Sequence, residues 1–196
     1  MRRIGLFGGT FDPPHLGHLA LAEWARARLG LERVVFMPAG RPPHKRGRPL
    51  TAAAHRLAMT RLAARGNAAF AVSDLEARRR GPSFTVDTLR ALRARHPGAR
   101  LYLLMGADSL ADFPTWREPG AIARLATLVV AARPLGARPE PRTGPTARVV
   151  MLDNPVLAIS SSALRARARA GRSLRYLVPD AVAAYVARHR LYRGRA

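Results

Sequence analysis

The chain has 196 residues, of which 48% are hydrophobic, and it contains no cysteine. This length predicts a single domain, 1–196, whose last part, about 159–196, is helical. Without cysteine, disulfides and cysteine-ligated metals are excluded. No apolar run approaches the ~20 residues that span a bilayer, so we expect a cytoplasmic protein with no membrane partner.

The net charge of +22 is typical of proteins that bind nucleic acid. However, the 34 basic residues are spread along the whole chain, and Lys45 is the one lysine among them. This pattern indicates a compositional bias of the source genome, and we predict no specific nucleic-acid partner. Lys45 stands out because a compact ammonium is used where arginine is otherwise preferred.

The first elements are an apolar strand, 3–7, and a turn that contains Gly8 and Gly9. Two glycines allow successive backbone N–H groups to converge on an anion, and Thr10 and Phe11 extend this turn. A helix is then predicted to begin near Pro13, with Asp12 as its N-cap. The turn is a candidate phosphate site.

His15 and His18 are three residues apart, so they share one face of the helix's first turn. Free N–H groups and the helix dipole favour negative charge at this end. Gly17, between the two histidines, lets a ligand lie close to the helix.

After this helix, 34–37 is predicted as a buried strand, and the loop that follows it, 39–49, is rich in proline and positive charge. His44 and Lys45 lie in this loop and can close over phosphates. Further along, 69–72 is predicted as a strand and Ser83 as the N-cap of a helix that contains Thr85.

The run 100–105 is the clearest buried strand, and it ends at Gly106 and Asp108. Asp108 is interpreted either as a ribose ligand or as a helix cap. Trp116 is either a core residue or a stacking platform for a flat ring. Two more strands, 126–132 and 149–152, precede the closing helices.

Strands alternate with helices throughout the sequence. This predicts an α/β fold, a Rossmann-like, doubly wound, mostly parallel sheet flanked by helices, with a short C-terminal helical segment. The C-terminal segment starts with Ser160, Ser161 and Ser162, followed by Arg165 one turn later. Hydroxyls and a guanidinium at a helix N-terminus suit phosphate, although a plain serine cap is the alternative.

Several stretches together carry a family resemblance: GGTFDPPHLGH, the PPHK loop, GPSFTVDTL, GADSLADFPTW and ISSSALR. The chain resembles the HxGH nucleotidyltransferase superfamily, and its wording is most similar to the nicotinate-mononucleotide adenylyltransferase family. The resemblance implies transfer of AMP from ATP to nicotinate mononucleotide, late in NAD synthesis. It also implies Mg²⁺ as the cofactor, held mainly through substrate phosphates.

The resemblance assigns candidate roles to residues that match its motifs. The catalytic candidates are His15, His18, Lys45 and Arg165. The candidates for binding ATP are Gly8, Gly9, Thr10, Phe11, His15, His18, Ser160, Ser161, Ser162 and Arg165. The candidates for binding the mononucleotide are Thr10, Phe11, His44, Lys45, Thr85, Gly106, Asp108, Trp116 and Arg117. No residue of the chain is assigned as a metal ligand.

One position departs from the family pattern. Arg117 follows Trp116, at a position where family members often carry a second aromatic residue. An arginine at this position would attract a nicotinate carboxylate instead of stacking on the ring. The alternatives to the implied function are an HxGH nucleotidyltransferase that uses nicotinamide mononucleotide or pantetheine phosphate, and a basic nucleic-acid-binding module.

Overall fold

The computed structural model describes residues 1–43, 49–131 and 147–193. Short apolar runs form six strands, because β-branched and other apolar side chains suit a sheet that is covered on both faces. They are β1 (Arg3–Gly9), β2 (Arg33–Pro38), β3 (Phe70–Val72), β4 (Arg100–Met105), β5 (Ala126–Val130) and β6 (Val149–Met151). All five strand pairings between these strands are parallel.

Helices connect the strands. They are α1 (Leu16–Leu29), α2 (Ala53–Ala64), α3 (Leu75–Arg78), α4 (Thr85–Arg95), α5 (Ala107–Asp112), α6 (Pro119–Leu125), α7 (Ser161–Arg169) and α8 (Asp180–Arg188). A short 3-10 helix, Phe113–Thr115, follows α5.

The strand order is β3-β2-β1-β4-β5-β6. The chain moves outward from β1 through β2 to β3, and then returns to the other side of β1 to form β4. A switch point therefore separates β1 from β4, which is where open α/β sheets bind ligands beyond the carboxyl ends of their strands.

Apolar clusters cover both faces of the sheet. Leu103 belongs to a cluster with residues of α4 and α6, whereas its neighbour Leu104 belongs to a cluster with residues of α1. Successive strand residues point to opposite faces, so this division means that helices flank the sheet on both sides. The predicted Rossmann-like, doubly wound α/β fold is confirmed, and its described strands are all parallel.

A third apolar cluster joins the C-terminal helices to α2. It contains Met59 of α2, Leu164 of α7 and Val182 of α8, all almost fully buried. The C-terminal helical segment therefore packs on the helix that follows the basic loop. The assignment of 1–196 to a single domain stays a prediction.

Two expected helix caps are wrong. The first helix begins at Leu16, not near Pro13, and His15 is its N-cap. The Asp12 carboxylate instead accepts hydrogen bonds from the Thr51 N–H and the Tyr192 hydroxyl. Likewise, Phe84 rather than Ser83 precedes α4 as its N-cap.

Candidate active site

The switch point brings the ends of β1 and β4 together. The ladder between β1 and β4 ends at the pair Phe7 and Leu104, and Gly8 and Gly106 follow this pair within two residues on the two strands. A side chain added at Gly8 or at Gly106 would meet no heavy atom within 4 Å among the residues that the structure describes. Both backbones are therefore open to a ligand at this edge of the sheet.

Phe11 gives the turn after β1 its shape. It is 1% exposed and adopts φ 48°, a left-handed conformation that is strained for a residue with a side chain. Its ring packs edge-on against His18, with 5.1 Å between ring centroids. A Cβ at Gly9 would approach the Phe11 ring to 3.1 Å, so the second glycine makes room for this ring.

The two histidines form a stacked pair, with ring centroids 3.6 Å apart. The Nδ1 atom of His18 accepts the His15 backbone N–H at 3.1 Å. An accepting nitrogen carries no proton, so neutral His18 holds its proton on Nε2 and can donate it to an anion.

His15 is buried, with 7% of its surface exposed. Burial lowers its pKa to about 4, so the ring is neutral at physiological pH. Its Nδ1 atom is buried and has no hydrogen-bond partner within the described part of the chain.

The N-terminus of α7 lies against the turn that precedes α1. The Ser161 hydroxyl donates to the Pro13 carbonyl at 2.8 Å, and Arg165 Nη1 donates to the Asp12 carbonyl at 2.9 Å. Residues that are about 150 positions apart in the chain are thus in direct contact. We call this part of the site, 8–18 with 160–165, the histidine side.

Two further serines shape the start of α7. Ser160 is its N-cap and accepts the Ala163 N–H at 3.2 Å, and the exposed Ser162 hydroxyl accepts from Arg165 Nη2 at the same distance. The cap alternative for Ser160 is therefore observed. Because the Ser161 proton is used by Pro13, the α7 backbone N–H groups and Arg165 are the stronger donors for an anion.

The remaining candidates form a second group, which we call the tryptophan side: 84–85, 106–108 and 116–117. The Arg117 guanidinium lies over the Phe84 ring, 4.7 Å from its centroid, and Thr85 is the next residue along the chain. Trp116 is half-buried and tilted against Phe113, 5.7 Å between centroids.

Gly106 and Asp108 complete the tryptophan side, and both are exposed. Gly106 is the N-cap of α5, and Asp108 lies in its first turn. His44 and Lys45 lie outside the described residues, so their positions relative to either side stay predictions.

One buried cation next to this site could not be predicted from the sequence. Arg56, on α2, is 2% exposed and donates four hydrogen bonds to backbone carbonyls. Three of these acceptors, Thr10, Ala39 and Gly40, belong to the turns that leave β1 and β2. No sequence signal separates Arg56 from the many exposed arginines, because burial depends on the fold.

The described carboxylates and histidines do not form a cage for Mg²⁺. In the three described stretches, no group of three or more histidine, aspartate or glutamate residues is arranged to hold a metal ion. The buried carboxylate of Asp12 is already occupied by Thr51 and Tyr192. This donor set fits an ion whose ligands come from substrate phosphates and water, the usual arrangement for Mg²⁺.

None of the described helices has the length and hydropathy needed to cross a membrane.

A family model described as cytidylyltransferase-like matches residues 6–167. The chain therefore belongs to the cytidylyltransferase-like family. Within that class, two relatives carry the name probable nicotinate-nucleotide adenylyltransferase. The one from Thermomicrobium roseum is 52% identical over 98% of this chain and 92% of its own length. The one from Symbiobacterium thermophilum is 49% identical, over 98% and 96%.

A solved structure agrees with the fold. Plasmodium falciparum nicotinic acid mononucleotide adenylyltransferase complexed with NaAD aligns with a TM-score of 0.81 over 98% of both chains. At 18% identity, this likeness supports the architecture alone. The family resemblance predicted from the motifs is confirmed.

Proposed function

We propose that the protein is a nicotinate-nucleotide adenylyltransferase. It transfers AMP from ATP to nicotinate mononucleotide and releases pyrophosphate, in the synthesis of NAD. The names of relatives about half identical over nearly the whole chain support this activity. The observation that carries the proposal is the contact between the serine-rich start of α7 and the Asp12–Pro13 turn, which leads directly into His15 and His18.

The chemistry requires alignment rather than a protein nucleophile. The phosphate of the mononucleotide is anionic at neutral pH and attacks the α-phosphorus of ATP, while the bond from that phosphorus to pyrophosphate breaks. The protein must hold both phosphates in line and stabilise the charge that moves to pyrophosphate. No serine or cysteine has to be activated.

The histidine side suits the triphosphate. His18 Nε2, the first-turn N–H groups of α7 and Arg165 are the donors for phosphate oxygens, and each charge-assisted bond contributes about 1.5 to 3 kcal/mol. The backbone of Gly8 and Gly9, with Thr10 and Phe11, forms the floor of this side. Magnesium, bound through the substrate phosphates, would offset their charge.

The tryptophan side suits the mononucleotide. The half-buried Trp116 ring offers an apolar face to the pyridine, and Arg117 supplies a cation for a carboxylate on that ring. Thr85, Gly106 and Asp108 are candidate ligands of the ribose and phosphate. His44 and Lys45 are proposed to approach the reacting phosphates. The cytoplasmic location and the lack of a specific nucleic-acid partner stay predictions.

The proposal is tested by measuring pyrophosphate release from ATP and Mg²⁺ with three acceptors in parallel: nicotinate mononucleotide, nicotinamide mononucleotide and 4′-phosphopantetheine. We expect the highest kcat/KM with nicotinate mononucleotide. Preference for phosphopantetheine would assign a different acceptor. If no pyrophosphate is released with any of the three acceptors, and the protein binds RNA tightly and in a salt-sensitive way, the nucleic-acid alternative would be favoured.

A further inference from the structure

Arg56 is a buried cation bound almost entirely by backbone. Its Nε donates to the Thr51 carbonyl at 2.8 Å, and its Nη2 donates to the Gly40 carbonyl at 3.1 Å. Between them, Nη1 donates to two carbonyls, those of Thr10 at 3.0 Å and Ala39 at 2.6 Å. One rigid guanidinium therefore fixes the directions of four carbonyl groups.

These carbonyls belong to turns that leave two neighbouring strands. Thr10 follows β1, whereas Ala39 and Gly40 follow β2. The strands are already in register, since the Ala39 N–H donates to the Gly9 carbonyl at 2.9 Å. Arg56 extends this connection past the last ladder hydrogen bond, to Thr10 on the histidine side and to Gly40 in the turn after β2.

Gly40 is also held from two other directions. Its N–H donates to the Ser83 hydroxyl at 3.0 Å, and the Arg41 N–H donates to the same oxygen at 3.3 Å. On its remaining side, a Cβ would collide with the Glu76 carbonyl oxygen. The turn after β2 is thus confined by α2, by the first turn of α3 and by the residue before the α4 cap.

Burial of Arg56 has both a cost and a structural consequence. A buried cation pays a desolvation cost, and apolar side chains of similar volume often give equal or greater stability. Burial lowers the pKa of Arg56, and the neighbouring Asp12 carboxylate opposes this shift. One guanidinium therefore sets the geometry of two turns at once, in addition to satisfying their buried carbonyls.

We propose that Arg56 is a positioning residue of the adenylyl transfer: it holds the turns after β1 and β2 at the separation that aligns the two reacting phosphates. This inference rests on the proposed function. The turn after β1 contributes the Gly9–Thr10 backbone, and Gly40 lies five residues before Lys45 in the chain. A displacement of about 1 Å between them would lower the rate by about 100-fold.

The main variant is Arg56→Lys, which keeps the charge but replaces a planar fork by a point donor that cannot reach four carbonyls. Its matched control is Arg61→Lys on the same helix, where an exposed side chain makes a 3.5 Å ion pair with Asp74. With both substrates saturating, we expect kcat to fall about 100-fold for Arg56→Lys and less than twofold for Arg61→Lys.

Thermal unfolding of each variant, followed by circular dichroism, gives the temperature at which it is fully folded, and kcat is measured below that temperature. A merely structural role would lower Tm and leave kcat per folded molecule unchanged, which would overturn the proposal. If Arg56→Lys does not fold, Ser83→Ala tests the turn after β2 instead, because it frees the Gly40 and Arg41 N–H groups, although it also removes a hydrogen bond from Glu76. We expect Ser83→Ala to lower kcat about 10-fold, and wild-type turnover would overturn the proposal.

A second measurement does not depend on activity. Amide hydrogen exchange, read by mass spectrometry, should rise in peptides covering 8–12 and 38–43 of Arg56→Lys, while peptides from β5 stay protected. Unchanged exchange in both turns would overturn the inference. If the wild-type protein shows no pyrophosphate release but the variant shows faster exchange, the proposed function fails and the anchoring role of Arg56 stands.

Discussion

The two sides of the candidate site differ in how firmly they are built. On the histidine side, Phe11 and Asp12 are both 1% exposed, and Arg165 bonds directly to the turn between β1 and α1. On the tryptophan side, Gly106, Asp108 and Arg117 are exposed. The fixed side suits phosphates that must be aligned for reaction, whereas the open side suits a ring that must enter and leave.

The largest effect should come from the histidine side. We expect His18→Ala to lower kcat at least about 100-fold, because it removes a donor aimed at developing phosphate charge. Its stability loss should stay near about 1 kcal/mol, since most single substitutions lose about this much. Steady-state kinetics and urea unfolding measure the two effects. His96→Ala, at the end of α4, is the matched control, and an equal loss of kcat in that variant would contradict the assignment.

Acid should weaken the histidine side through His15. Its folded pKa, about 4, lies below the unfolded value of about 6.5, so the unfolded chain binds the proton more readily. The contribution of neutral His15 to the free energy of unfolding is therefore fully present above pH 6.5, and it is lost as the pH falls towards 4. Between pH 8 and pH 5, we expect this group to contribute a loss of about 2 kcal/mol.

Urea unfolding of the wild-type protein and of His15→Asn at several pH values checks this expectation. Asparagine can still cap α1 but does not titrate. The variant should lose about 2 kcal/mol less over the same range. Parallel curves for the two proteins would show that His15 does not titrate below its normal pKa.

Losing the hydrogen bond to the buried Asp12 carboxylate, on the histidine side, should have a smaller effect. The Tyr192 hydroxyl donates to Asp12 Oδ1 at 2.8 Å, and burial raises the pKa of Tyr192, so the donor stays protonated. Tyr192→Phe should cost about 1 to 3 kcal/mol, because a buried acceptor loses its partner. Urea unfolding measures this loss of stability. The control is Tyr176→Phe, which should change the free energy of unfolding little, because Tyr176 is 78% exposed. Equal stability of the two variants would contradict this account.

The smallest effect should come from the tryptophan side. Arg117→Gln removes a cation whose side chain is 53% exposed, so solvent screens its attraction to a carboxylate. We expect the ratio of kcat/KM for nicotinate over nicotinamide mononucleotide to fall only about threefold. Arg124→Gln on α6 is the control. A loss above 10-fold would mean that the open side selects the ring more strictly than its exposure suggests.

Local patterns in the sequence predicted most of the fold. The run 100–105 matches β4 (Arg100–Met105), and the serine cap that was the alternative for the start of α7 is observed at Ser160. Hydrophobic periodicity and helix caps depend on residues that are close together in the chain, so they can be predicted from a single sequence. The family resemblance alone led us to expect the start of α7 near the His15–His18 turn, and its hydrogen bonds go to Asp12 and Pro13, just before that turn.

Long-range polar contacts were not predictable in this way. Asp12 has the residue type and position of an N-cap. Its carboxylate instead accepts a hydrogen bond from the hydroxyl of Tyr192, which is 180 residues away in the chain. Arg56 has no distinguishing neighbour in the sequence. In both cases the deciding energy comes from burial of a polar group, which exists only after the chain has folded.

The central claim is that the His15–His18 turn and the start of α7 form one triphosphate site. A crystal structure of the protein with ATP and Mg²⁺ tests it most directly. We predict that phosphate oxygens lie within hydrogen-bond distance of both His18 Nε2 and the Arg165 guanidinium. A triphosphate bound elsewhere, or contacting only one of these two residues, would contradict the claim.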